Sequence, residues 1–116
     1  MPSWAARPIR KTGAGMSDVE VIFTAEADGD LGDRLQIDVI SRTADDERRS
    51  TRRPAVAVDD LAACWDTILD TLLDYRQRAT VKRLTCRTVA GTGSLQAQQA
   101  LSTLVQVAAH ETGAVI

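Results

Sequence analysis

Between residues 19 and 40 the chain alternates in two short runs. Val19, Val21 and Phe23 are interleaved with Glu20, Ile22 and Thr24, and Leu35, Ile37 and Val39 with Gln36, Asp38 and Ile40. A period of two is that of a β-strand, whose successive side chains point to opposite faces. The intervening Ala27-Asp28-Gly29-Asp30-Leu31-Gly32-Asp33 has the Asp-Gly chemistry of a hairpin connection. Ser41 to Arg53 is then polar and predicts a flexible, solvated loop. Pro54 closes that loop, and the apolar Ala55-Val56-Ala57-Val58 predicts a short third strand at a sheet edge.

From Asp59 onward the period lengthens. Leu61, Trp65, Ile68, Leu69, Leu72 and Leu73 recur at helical spacing, with Asp66, Asp70 and Asp74 on the other side. Asp59 or Asp60 is placed to cap that helix, its carboxylate accepting amide protons left without partners in the first turn. Val81–Val89 returns to the period of a strand, with Leu84, Cys86 and Thr88 on one side and Arg83, Thr85 and Arg87 on the other. Ser94 is the candidate cap of a last helix with Ala97, Leu101, Leu104, Val105 and Ala108 as its apolar face. Gly113 is placed to end it.

The order β-β-(β)-α-β-α predicts an α+β two-layer sandwich, with two helices packed on one face of a small mixed sheet. The other face would carry Glu20, Thr24, Gln36, Asp38, Arg83 and Arg87, either solvated or covered by a partner.

Length and composition narrow the picture. The 116 residues, 44% of them hydrophobic, suit one domain, here expected over residues 17–116. Residues 1–16 hold three basic residues, no acid and no periodicity, and predict a disordered or mis-assigned N-terminal extension, with Met16 a candidate start. No apolar run reaches the ~20 residues of a membrane helix, and no signal-peptide core precedes the fold. Cys64 and Cys86 are too few for a disulfide framework and are expected as reduced core residues. These features suggest a cytoplasmic location. Twelve Arg against two Lys fits a GC-rich bacterial genome. A net charge of -2 argues against a generic polyanion binder.

Candidate chemistry is sparse. The acidic connection Glu26, Asp28, Asp30 and Asp33 fails the EF-hand pattern, because Gly32 and Asp33 stand where an acid and the glycine are needed. The row Asp66, Asp70, Asp74 lacks a histidine or converging glutamate, so no metal is expected there. Arg42, Arg48, Arg49, Arg52 and Arg53 form the strongest local charge signal and could hold phosphates, but Asp45, Asp46 and Glu47 interrupt it and no aromatic residue interleaves it. Gly91-Thr92-Gly93-Ser94 lies between a strand and a helix start, where backbone amides can cradle an anion. It lacks the Gly-Lys-Ser/Thr of a P-loop. His110, the single histidine, sits where it would complement a helix C-terminus.

The leading expectation is a small non-enzymatic interaction or accessory module that binds a protein, itself as a homodimer included, through its open sheet face, sheet edge or helix face. An alternative is a nucleic-acid or phosphate binder using Arg83, Arg87 and the Arg48–Arg53 segment. A third is a small enzyme centred on Gly91, Gly93 and Ser94. No cofactor, metal or catalytic residue is assigned.

Overall fold

The computed structural model describes residues 16–116. It contains β1 (Ser17–Ala27), β2 (Asp33–Arg42), β3 (Glu47–Arg52), α1 (Leu61–Gln77), β4 (Val81–Val89) and α2 (Leu95–Thr112). The expected extension over residues 1–16 concerns residues that, Met16 apart, lie outside those described.

The four strands form one mixed sheet in the order β3-β2-β1-β4. β1 and β2 pair antiparallel, as a short connection requires, while β1 and β4 pair parallel. A parallel neighbour needs a long crossover, and α1 supplies it by carrying the chain from β3 past β2 and β1 to β4. The result is an α+β fold with both helices on one face of the sheet.

The helix-facing side is the core. Val19, Val21, Phe23 and Ala25 of β1 and Leu35, Ile37 and Val39 of β2 pack with Leu84 and Cys86 of β4. Cys64, Ile68 and Leu72 of α1 and Leu101, Val105, Ala108 and Ala109 of α2 close over them. Each large side chain buried here contributes about 1.5–3 kcal/mol, so the helices are held chiefly by packing. Their ends follow local chemistry. The Asp60 carboxylate accepts from the Ala63 amide at 3.1 Å, and Ser94 Oγ from the Ala97 amide at 3.1 Å. Gly113 ends α2 at φ 78°, a left-handed conformation that favours glycine.

Two details differ from the sequence reading. Leu61 is 48% exposed, because α1 buries the row Cys64-Ile68-Leu72 with Trp65 and Leu69 at its margin. The third strand, moreover, is Glu47–Arg52, inside the stretch expected to be a loop. Ala55–Val58 provides only an isolated antiparallel bridge from Ala57 to Arg34. All six residues of β3 are exposed, so an edge position satisfies its backbone on one side without any apolar alternation. Pro54 lacks an N–H and interrupts the ladder, which resumes where the Leu35 amide donates to Val56 O at 3.1 Å. Val58 is then buried in the core.

The two sheet edges are unequal. On β4, Val115 donates to Leu84 O at 3.0 Å and accepts from the Cys86 amide at 2.9 Å, covering the middle of that edge. Among the described residues no strand pairs with the outer side of β3. Among them, too, no helix is long and apolar enough to cross a membrane.

Candidate functional site

The face opposite the helices is ordered by cross-strand rungs, because directly paired residues place their side chains on one side. One rung runs Arg49, Ile40, Glu20, Thr85 and the next Thr51, Asp38, Ile22, Arg87. A third pairs Gln36, Thr24 and Val89, and Arg53 Nε donates to Gln36 Oε1 at 3.0 Å beside it. The expected residues Glu20, Thr24, Gln36, Asp38, Arg83 and Arg87 therefore share this face. Its centre is closed, however. Ile22, Thr24, Asp38 and Ile40 are each less than a tenth exposed, flanked in register by longer side chains such as Arg49 and Arg87.

Charges on this face are tied to one another. Glu20 accepts from Arg87 Nε at 3.1 Å and lies 4.0 Å from Arg42, bridging β1 to both of its neighbours. Arg42 also binds Glu47 at 2.7 Å, and that contact raises its already high pKa. Asp38 accepts from the Thr51 hydroxyl, which fastens β3 to β2, and from Gln36 Nε2 at 3.3 Å.

The arginines singled out in the sequence do not form one cluster. Arg49 and Arg53 lie on the open face at the β3 margin. Arg83 and Arg87 lie on the same face at the β4 margin, three strand spacings or about 14 Å away. Arg48 and Arg52 alternate to the helix side, where Arg52 lines a polar groove with Asp70, Asp74 and Arg78. Arg48 is paired to Asp46 at 2.8 Å, and Arg78 to Asp74 at 2.7 Å. Among the described residues Arg49, Arg52, Arg53 and Arg83 take part in no ion pair.

Gly91, Gly93 and Ser94 stand apart from these arginines, in a clasp over the end of β1. A Cβ on Gly91 would lie 2.6 Å from Ala25 O and closer still to Thr24 Cγ2, and one on Gly93 would lie 2.8 Å from Ala25 O. Glycine is needed here for close approach. The Gly93 amide donates to Ala25 O at 2.9 Å, the Thr92 amide to Glu26 Oε2 at 3.1 Å, and the Ser94 amide to Asp33 Oδ2 at 3.1 Å. The Thr92 hydroxyl also binds Glu26, and this bond with that of the Thr92 amide holds the Glu26 carboxyl below its ordinary pKa of 4.5. The amides that an anion would use are thus engaged by the protein's own groups, those of Thr92 and Ser94 by acids and that of Gly93 by the Ala25 carbonyl. Glu26 and Asp33 were missed as partners of this turn, since more than sixty residues separate them from it and no local pattern joins them.

The remaining candidates lie elsewhere. His110 is exposed in the last turn of α2. Cys64 and Cys86 are free, buried thiols in the core. Burial, aided at Cys64 by Asp60 and Asp59, pushes both up to about 11, so neither is a thiolate at neutral pH. The Asp66, Asp70 and Asp74 side chains are solvent-facing, and among the described residues no group of three His, Cys, Asp or Glu is placed to hold a metal ion.

Compared with known protein families, with curated proteins and with solved structures, the chain matches none.

Proposed function

We propose that this domain is a non-enzymatic interaction module whose β3 edge receives an acidic, extended segment of a protein partner as an added strand. The observation that carries this reading is β3 itself, a fully exposed edge strand of sequence ERRSTR, with outward backbone groups that no described strand pairs. An added strand gains main-chain hydrogen bonds, while side chains on its two faces set specificity. Arg49 and Arg53 on one face, and Arg48 and Arg52 on the other, complement carboxylates on both. The same charges oppose β3-to-β3 pairing of two copies, which would set arginine near arginine. An acidic partner is therefore favoured over a homodimer through this edge. Two buried reduced thiols suit a cytoplasmic setting.

A short peptide of alternating Glu and Val tests the reading. Binding should slow amide hydrogen exchange across Arg48–Arg52, weaken with added salt, and fail when Arg49→Glu and Arg52→Glu are combined. Unchanged exchange on β3 at saturating peptide would overturn it.

A second reading, nucleic-acid or phosphate binding, is favoured by one observation: Arg49 and Arg53 face Arg83 and Arg87 across a single sheet surface. Glu20 and Asp38 between them, and the lack of any aromatic side chain on that surface among the described residues, weigh against it. Affinity for single-stranded RNA or DNA that falls steeply with salt would favour this reading over the first.

A further inference from the structure

The open face carries a concavity. It lies where the chain leaves β3 through Pro54 and where β2 begins, and its volume is about 270 Å³. Arg34, Arg53 and Gln36 supply its polar lining, and Pro54 and Ala55 part of its apolar wall. Glu26 and Asp28 complete its rim.

The pocket holds more hydrogen-bond donors than acceptors. Glu26 Oε2 is taken by the amide and hydroxyl of Thr92. Gln36 spends its carbonyl on Arg53 Nε and its amide on Asp38. Asp28 lies 3.3 Å from Arg34 Nε, yet the alignment is too poor for a hydrogen bond, and that buried nitrogen has no hydrogen-bond partner among the described residues. The terminal nitrogens of Arg34 and Arg53 add further donors that no described side chain or backbone oxygen accepts in a hydrogen bond. Glu26 Oε1 and the Asp28 carboxylate accept no hydrogen bond among the described residues, but the free N–H groups of the two guanidiniums outnumber these oxygens, so donors remain in surplus.

We infer that the Arg34–Arg53 pocket binds a carboxylate carried on a short aliphatic stem. Two planar guanidiniums match the two oxygens of a carboxylate, and the Pro54-Ala55 wall covers the stem. The volume falls just below that of drug-sized ligand sites, which suits a group no larger than an acidic side chain or a small diacid. The inference rests on the docking reading only for the source of the carboxylate, a Glu or Asp of the docked segment as against a free small acid.

Glutarate is the probe, titrated into the full chain and followed by ¹H–¹⁵N NMR, with neutral glutaramide as control. Saturable shifts are expected at the Arg34 and Arg53 side-chain Nε–H groups and at the Ala55 amide with glutarate alone. Arg53→Gln, at an exposed position that should leave the fold intact, is expected to weaken glutarate at least about tenfold, the equivalent of one hydrogen bond to a charged group. Arg83→Gln, at the far margin, should leave affinity unchanged. Shifts that never saturate, that include Arg83 equally, or that survive Arg53→Gln would overturn the site. The Glu-Val peptide separates the two proposals. Glutarate binding in the pocket without β3 protection by the peptide leaves the pocket standing, with a free acid as its ligand, and removes the docking reading. Protection of β3 with no glutarate shift in the pocket does the reverse.

Discussion

The two faces of this sheet share a backbone but are built on different physics. Toward the helices, β1 and β2 present Val19, Val21, Phe23, Leu35, Ile37 and Val39, all buried against α1 and α2. Away from them, the same strands present Glu20, Asp38 and Arg42, joined by ion pairs and hydrogen bonds around the small buried centre of Ile22 and Ile40. The first face cannot change without unpacking the domain. The second is held by contacts that water can replace, which leaves it free to serve recognition.

The largest effect should therefore come from the packed face. Phe23→Ala is expected to cost about 3–5 kcal/mol in chemical denaturation, through lost burial and the cavity left behind. Ile40→Ala on the other face should cost less, about 1.5–3 kcal/mol, because Arg49 beside it can settle into the space. Equal losses would break the distinction between the faces.

Next in size is the clasp that joins the ends of the two layers. Gly91→Ala forces a methyl against Thr24 and Ala25 O, and overpacking of this kind costs about 1–3 kcal/mol. Gly29→Ala provides the contrast. Its site is open, with nothing within 4 Å of an added Cβ, so only the strain of φ 55° opposes it. Thermal melts of the two variants should differ clearly.

Glu20→Gln should matter little. Its partners Arg42 and Arg87 are about half exposed, and pairs of that kind contribute at most about 1 kcal/mol. The loss should shrink further in high salt, and a loss that salt leaves unchanged would show that the charged face is held by more than ion pairing.

The smallest expected effect is one of pH. The Thr92 hydroxyl and amide depress the Glu26 pKa below 4.5, so the folded state holds this proton less tightly than the unfolded state. The associated stability is fully present above about pH 4.5 and is lost as pH falls through the folded value. Melting temperatures measured from neutral to acid pH should fall less steeply for Glu26→Gln than for the parent chain.

Much of the fold was legible in the sequence because it follows from neighbours along the chain. Both helices, the strands β1, β2 and β4, and the caps Asp60, Ser94 and Gly113 all rest on spacings within one or two turns. β3 has the sequence of a loop for a sound physical reason. An exposed edge strand needs no apolar alternation, so ERRSTR carries the charge of a loop and the hydrogen bonding of a sheet. The candidate arginines were visible as a charge run, but strand alternation sends Arg49 and Arg53 to one face and Arg48 and Arg52 to the other. Arg34, which the run does not include, joins Arg53 only because β2 brings it there.

Local period, capping chemistry and the choice of Leu, Val and Ala at core positions were written in the residues themselves, since each acts over a few positions. The clasp of Thr92 and Ser94 with Glu26 and Asp33, the closed centre at Ile22 and Ile40, and the pocket between Arg34 and Arg53 arise from strand register. Register is a global outcome: it is selected by which face of each strand finds the helices, and a slip of a single residue would exchange every one of these contacts.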